Sequence, residues 1–289
     1  MAESPPADAG PHLLLDAYSL LFRAFYALPP MTTRAGEPTG ALYGTSSLLL
    51  KLLREERPRA VAWAVDAPQR TVRHAVEPTY KAGRAPTPDP LRAQLARLPE
   101  LAAAAGLPLH QAPGWEADDL LASLARRLPP ALVVSGDTDL LQIVDSDTTV
   151  LFVGRRQKDH VRYDPSAVEA RYGFAPERIP TWKALVGDPS DNLAGVAGIG
   201  PKTATRLVQE HGDAEGILAA AGSLPARTRA TLEAAADDLR RVEGLATVRR
   251  DLPLELPLAA EVDYQGLRDW FVGMEFASLV KRVEGLAAR

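Results

Sequence analysis

The sequence predicts an α/β protein with a mostly parallel sheet, and three observations predict it. Near-continuous apolar runs, His12 to Leu15, Ala60 to Val65 and Ala131 to Val134, have the length and the lack of alternation of strands buried on both faces. Helical patterns separate them, the order of a βαβ fold. Each run delivers acids at its end: Asp16, Asp66 and, after Ser135-Gly136, the pair Asp137 and Asp139. Ligands of parallel sheets sit at the carboxyl ends of the strands, so these acids are candidates for one site.

Residues 1–11 are small, acidic and proline-containing, without the basic and apolar stretches of a signal peptide, and read as a disordered leader. After Asp16, Tyr18 to Phe25 starts an amphipathic helix that includes Arg23. Gly36 to Gly44 is a turn-rich connection, and Ala41 to Glu55 is a helix. Beyond Asp66 the composition changes: Arg70, Arg73, His74, Tyr80, Lys81 and Arg84 lie in a proline-punctuated segment with few large apolar residues. It reads either as a solvated loop or as a basic arm, with Tyr80 as a stacking surface, that tracks a single-stranded phosphate backbone.

The organising stretch is Gly114 to Asp139. Glu116, Asp118 and Asp119 open an apolar helical pattern (Leu120, Leu121, Leu124, Leu128), and the strand before Asp137 follows. Acids in a first helical turn often do no more than complement the helix dipole. Joined to acids at three strand ends, they point to a shared site. Carboxylates packed together repel and raise one another's pKa unless something positive lies between them. A divalent cation with oxygen ligands, Mg²⁺ or Mn²⁺, resolves that most simply.

Val150 to Val153 and Val161 to Tyr163 read as two short strands of a hairpin, joined by the basic Arg155-Arg156-Gln157-Lys158. Pro165 to Tyr172 and Thr181 to Val186 are helical. The loop Gly187 to Asn192 adds Asp188 and Asp191, although an Asx-type turn would use the same residues. Gly195 to Ala204 leads into a helix over Thr203 to His211. Gly198-Ile199-Gly200 supplies a tight turn, Pro201 suits the first helical turn, and the free N–H groups with Lys202 and Arg206 would hold a phosphate. The P-loop spacing is absent; a helix–hairpin–helix element gripping a duplex backbone fits. Ala214 to Arg241 and Leu245 to Val248 are Ala-rich helical patterns, residues 249–262 an extended Leu/Pro stretch, and Leu267 to Val283 one final amphipathic helix.

The 289 residues suit one large domain or a domain with an appendage. A net charge of −4 argues against a uniformly basic nucleic-acid binder while allowing basic strips beside an acidic site. The absence of cysteine excludes disulfides, thiolate nucleophiles and Cys–zinc sites. Only six of the 33 basic residues are lysine (Lys51, Lys81, Lys158, Lys183, Lys202, Lys281), which singles those positions out. No apolar run is long enough to span a membrane, and a cytoplasmic protein is expected.

These strings closely resemble the bacterial 5′→3′ exonuclease/flap endonuclease family, which includes the N-terminal nuclease domain of DNA polymerase I. The matching residues are Leu15-Asp16 with Leu21-Phe22-Arg23, Val65-Asp66, Tyr80 to Pro88, Glu116-Ala117-Asp118-Asp119 and Gly136-Asp137-x-Asp139-Leu140. Gly187-Asp188-x-Ser190-Asp191-Asn192 and Gly198-Ile199-Gly200-x-Lys202-Thr203-Ala204 complete the set, in the family's order over roughly residues 12–285. The resemblance implies a PIN-like α/β nuclease core over 12–180, with a helical arch at about 68–92. It also implies a helix–hairpin–helix-containing C-terminal region over 181–289, hydrolysis of DNA at 5′ ends and 5′ flaps, and a role in DNA replication and repair. A stand-alone, monomeric, nucleoid-associated nuclease is the expectation. Ala17, Thr138 and Ala194 depart from residues frequent in the family; none of them removes a carboxylate.

The expected mechanism is two-metal hydrolysis, with two Mg²⁺ ions about 4 Å apart. Asp16, Asp66, Glu116, Asp118 and Asp137 would line one side, and Asp119, Asp139, Asp188 and Asp191 would complete it directly or through water. Lys81 and Arg84 would meet the scissile phosphate. Arg23, Arg70, Arg73 and Tyr80 would guide the 5′ strand, and Gly198, Gly200, Lys202, Thr203 and Arg206 the duplex. The resemblance further implies a potassium ion on the carbonyls of Leu185, Val186, Ala194, Val196 and Ile199. A catalytically silent structure-specific DNA-binding protein and a PIN-type ribonuclease are the rival readings.

Overall fold

The computed structural model describes residues 10–154, 159–253, 255 and 257–288. Most of the expected leader and the basic join Arg155 to Lys158 lie outside the described residues. Gly10, expected in the leader, is pinned: its N–H donates to the Arg57 carbonyl at 3.1 Å and its carbonyl accepts from Arg59 Nε at 2.7 Å.

Six strands, β1 (His12–Asp16), β2 (Ala60–Ala64), β3 (Leu109–His110), β4 (Ala131–Ser135), β5 (Thr148–Phe152) and β6 (Val161–Tyr163), form one sheet. Their order is β3-β2-β1-β4-β5-β6, parallel except for the β5–β6 pair, which is antiparallel as the hairpin reading requires. Leu15 stands beside both Trp63 and Val134. That register brings Asp16, Asp66 and Asp137 to the same edge of the sheet.

Around the sheet run α1 (Ala17–Ala27), α2 (Gly40–Glu56), α3 (Val72–Val76), α4 (Asp89–Ala96), α5 (Leu98–Ala104), α6 (Ala117–Arg127) and α7 (Pro165–Tyr172). They are followed by α8 (Ile179–Val186), α9 (Pro201–His211), α10 (Ala214–Ala219), α11 (Ala226–Ala234), α12 (Ala236–Ala246), α13 (Tyr264–Gly273) and α14 (Ala277–Ala287). Alternate strand residues feed two separate cores. Leu14, Ala62 and Val133 pack with α6 and the helices from α8 to α12. Leu13, Leu15, Trp63 and Val134 pack with α1, α2 and α5, and with Leu267, Phe271, Leu279 and Val283 of α13 and α14. The last two helices therefore return to the N-terminal half, carried there by a stretch that bridges Ala259 to Val61.

One expectation is corrected. The single helix over Leu267 to Val283 is two helices, with Glu275 at φ 60 between them. The break lets Phe271 and Phe276 both be buried, with Phe276 edge-on to Tyr43 and Trp270. The segment at 68–92, expected as a helical arch, is helical in α3 and at the start of α4 and irregular between them. Pro78, Pro86 and Pro88 remove backbone donors, and Lys81 and Gly83 take positive φ, both incompatible with a continuing helix. Among the described residues no helix is long and apolar enough to cross a membrane.

Candidate active site

Asp16 ends β1 and caps α1, accepting the Ser19 N–H at 3.2 Å and the Ser135 hydroxyl at 2.6 Å. Burial pushes its carboxyl up to about 7 against the Ser135 bond, with Asp66 and Asp137 adding to the rise. Asp66 accepts the Ala117 N–H at 2.8 Å, which ties the end of β2 to the first turn of α6. In that turn Asp118 is raised well above the ordinary carboxyl range by burial, then by Asp137 and Asp16. Asp137 donates its N–H to Ser135 Oγ and accepts the Asp139 N–H, each at 2.9 Å, so the Asp-x-Asp pair is shaped by the turn itself. Gly136 leaves room for the Arg23 side chain: a Cβ would lie 2.3 Å from Arg23 Nε. Arg23 donates to the Gly136 carbonyl and lies over the Phe152 ring.

Asp139, Asp188 and Asp191 form a second group, each offering one oxygen within 4.8 Å of the others. Lys183 of α8 lies inside it, bonded to Asp139 and, at 2.5 Å, to Asp188. Burial and Asp137 push Asp139 up to about 7 although Lys183 opposes them. Asp188 moves the other way: burial would raise it, but bonds from Lys183 and Ser190 hold it below the usual range. The loop is set by a close backbone crossing, since a Cβ on Gly187 (φ +83) would lie 2.7 Å from the Gly195 nitrogen.

The segment after Asp66 folds down onto both groups. Lys81 pairs with Glu116 at 3.0 Å, and Arg84 with Asp191 at 2.6 Å. Burial would lower Lys81, but Glu116 and Asp191 raise it, which keeps it a cation. Lys81 and Asn192 both occupy the left-handed region, φ 58 and 57. Such positions cost of order 1–3 kcal/mol each in non-glycine residues and persist where the surroundings over-determine them. Here the Lys81 N–H donates to the Asp191 carbonyl and Asn192 Nδ2 to the Thr79 carbonyl, both at 2.9 Å.

Lys81, Glu116, Asp118, Asp137, Asp139, Asp188 and Asp191 thus line one cleft, with Asp16 and Asp66 adjoining. Three of the residues expected there do not serve as expected. Asp119 is fully buried, both oxygens held by Arg73 (2.6 and 2.8 Å), and it also accepts the Arg249 N–H, so it offers nothing to a metal. Arg73 lines the cleft but is buried and bonded to Asp119 rather than presented to a strand. Tyr80 is buried as well, its hydroxyl donated to Asp191 at 2.8 Å, so it has no free face for stacking.

Arg70 remains exposed and bonded to the Pro78 carbonyl. Gly198 (φ 80) makes the expected turn and Gly200 precedes α9. Lys202 and Arg206 are exposed, Arg206 paired with Glu210 at 3.1 Å, and Thr203 is half-buried. Of the carbonyls named for potassium, Leu185 accepts the Val196 N–H and Val196 the Ile199 N–H. Val186 ends α8 and Ala194 is exposed. Ala17 is buried without a positive φ, and Thr138 makes no capping bond. Lys183 was missed as a site residue; its signal was its rarity as a lysine and its place five residues before Asp188.

The donor set fits a hard divalent cation. It consists of carboxylate oxygens, and Asp16, Asp118 and Asp139 are raised by burial first and by neighbouring carboxylates next, both of which a bound cation would offset.

Comparison with known proteins agrees with this geometry. Residues 11–173 match the family model of the 5′-3′ exonuclease N-terminal resolvase-like domain, and residues 174–268 that of the 5′-3′ exonuclease C-terminal SAM fold. Thermostable DNA polymerase I of Thermus thermophilus is 41% identical over 275 residues, 93% of this chain and 32% of the polymerase. DNA polymerase I of Mycobacterium bovis is 40% identical over 261 residues, 88% of this chain and 29% of that protein. The chain spans about a third of the length of these curated relatives. Among solved structures, a bacteriophage T5 flap endonuclease complexed with DNA and metal ions superposes with TM-score 0.67 at 20% identity, over 96% of this chain and 99% of that one. Human GEN1 bound to Holliday junction DNA gives 0.64 at 13% identity, over 95% and 72%.

Proposed function

The chain belongs to the 5′-3′ exonuclease family, and from that premise we propose that it hydrolyses DNA phosphodiesters at 5′ ends and 5′ flaps. The observation that carries this reading is the convergence of two carboxylate groups, one from the strand ends and one from the Asp188–Asp191 loop, under a segment bearing Lys81 and Arg84.

Asp16, Asp66, Asp118 and Asp137 would hold one Mg²⁺ or Mn²⁺ ion, and Asp139, Asp188 and Asp191 another. When bound, such ions would supply an activated water and charge stabilisation for the leaving oxygen. The chain's own residues do the rest. Lys81 and Arg84 hold positive charge at the rim, where the scissile phosphate must enter, and neutralise charge that develops there. Ser135 and Ser19 fix Asp16, and the Asp139 N–H fixes Asp137, so the carboxylates are aimed before substrate arrives. Glu116 orients the Lys81 ammonium. The exposed N-terminal turn of α9, with Lys202, offers N–H groups and a cation to a duplex backbone. A potassium ion on the carbonyls near Gly195, a monomeric state and a cytoplasmic role in replication and repair belong to the same proposal.

The test is cleavage of a 5′-flap DNA, labelled at each end in turn, with Mg²⁺, Mn²⁺ or EDTA, beside a matched RNA flap. Metal-dependent product at the junction or the 5′ end supports the reading. Tight binding without cleavage in any metal would replace it with silent DNA binding, and preference for the RNA flap with ribonuclease action.

A further inference from the structure

Arg73 is a buried guanidinium with every nitrogen engaged, and its partners come from two other parts of the chain. Nη1 and Nη2 hold the two oxygens of Asp119 in the first turn of α6, and Nη1 lies 3.4 Å from Glu116. Nε donates to the Leu245 carbonyl at 2.9 Å and Nη2 to the Thr247 carbonyl at 3.2 Å, at the end of α12. Arg73 itself sits on α3, at the root of the segment that carries Lys81 and Arg84.

The α12 end is clamped from its other side as well. Gln142 donates to the Ala246 carbonyl at 3.0 Å and accepts the Val248 N–H at 2.9 Å, while Asp119 accepts the Arg249 N–H at 2.8 Å. Leu245, Ala246 and Val248 line the same cleft as the carboxylates. A buried arginine so fully used would be expensive to place were it only filling space. Its planar fork can serve a carboxylate and a pair of carbonyls at once; a lysine's point charge cannot.

We propose that Arg73 is a positioning residue that couples the C-terminal helical region to the cleft. By holding the end of α12 against the first turn of α6 it sets Glu116, and through Glu116 the Lys81 ammonium. This rests on the proposed nuclease reading only where activity is measured. The coupling itself is a property of the folded chain.

The experiment compares wild type with Arg73→Lys and Arg73→Gln, in the presence and absence of Lys81→Met. Arg73→Lys keeps the buried charge, so it is the variant to read should Arg73→Gln fail to fold. Single-turnover cleavage of a 5′-flap DNA in Mg²⁺ should fall on the order of 10²-fold in Arg73→Lys, the usual consequence of a small misplacement of reacting groups. Binding of the same DNA in EDTA should stay within about threefold. The Arg73→Lys, Lys81→Met double variant should be no slower than Lys81→Met alone, because the first residue acts through the second. Losses that multiply, or a weakened DNA affinity that accounts for the whole effect, would overturn the proposal. Amide hydrogen exchange on the metal-free protein separates this from failure of the nuclease reading. In Arg73→Lys, protection should drop together at residues 79–84 and 245–249. A drop in only one of the two segments would refute the coupling even if no activity were found in any variant.

Discussion

The two carboxylate groups of the cleft differ in what neutralises them. At the strand ends, Asp16, Asp66 and Asp118 face one another, and the nearest cation is Lys81, itself committed to Glu116. In the loop group, Lys183 lies between Asp139 and Asp188, and Arg84 holds Asp191. Asp16 and Asp118 are pushed up, by burial first and by neighbouring carboxylates next, as is Asp139, whereas Asp188 is held down by Lys183 and Ser190. One half of the cleft is therefore built by the sheet and left short of positive charge; the other is supplied with it by the chain. A divalent ion should matter most to the half that lacks a substitute.

The sharpest way to break that comparison is Asp118→Asn. The change keeps size and hydrogen bonding but removes an anion from the half without its own cation. Metal-dependent cleavage of a 5′ flap should fall by about 10³-fold, about 4 kcal/mol in the barrier, while DNA binding in EDTA is unchanged. Retention of full activity would mean that the strand-end acids do not hold the metal.

Lys183→Met should turn the loop group into a copy of the strand-end group. Removing the ammonium leaves Asp139 and Asp188 close together without their shared partner, a loss of about 2 kcal/mol in the metal-free protein. The added stabilisation by Mg²⁺, read as the shift in melting temperature, should be larger than in wild type. A shift no larger than wild type's would show that the ammonium does not stand where an ion would.

The carboxylates were legible in the sequence and their partners were not, for a physical reason. A parallel strand buried on both faces is an apolar run, and the residue at its end must leave the sheet, so Asp16, Asp66 and Asp137 are marked by position. Arg73, Tyr80 and Asp119 are marked only by tertiary contact. Proline punctuation and scarce apolar residues made the segment after Asp66 read as solvated. It folds down because its cations and its tyrosine meet acids, an interaction that leaves no periodicity. Asp119 looked like a third helix-start ligand, yet in the helix it points away from Asp118 and into Arg73. The break at Glu275 was likewise hidden, because Leu267 to Val283 keeps a helical spacing across it.

A smaller effect concerns pH. Asp16 and Asp139 are raised to about 7 from an unfolded value near 4. The folded state therefore binds more protons than the unfolded one between those values, and stability falls as pH rises across that window. In EDTA the melting temperature should decline from about pH 4.5 to about pH 7, and Asp16→Asn should flatten the slope. Stabilisation by Mg²⁺ should grow over the same range, since ligands must be deprotonated to bind it. A melting temperature that rises with pH in EDTA would contradict the raised carboxyls of Asp16 and Asp139.

The smallest effect lies outside both groups. Lys202 and Arg206 are both exposed on the first two turns of α9, but Arg206 is already paired with Glu210, whereas Lys202 appears in no ion pair among the described residues. A phosphate must compete with Glu210 for Arg206 and has no competitor for Lys202. Lys202→Ala should therefore weaken duplex binding several-fold, uniformly across sequences, and reduce the slope of log K against log salt by about one. Arg206→Ala should do less on both counts. Single-turnover cleavage at saturating DNA should be unchanged in either, because these residues hold the duplex and not the reacting phosphate. If Lys202→Ala slowed the saturated reaction while leaving affinity and salt slope intact, the helix–hairpin–helix turn would belong to the cleft's chemistry instead, and the division between holding DNA and cutting it would have to be redrawn.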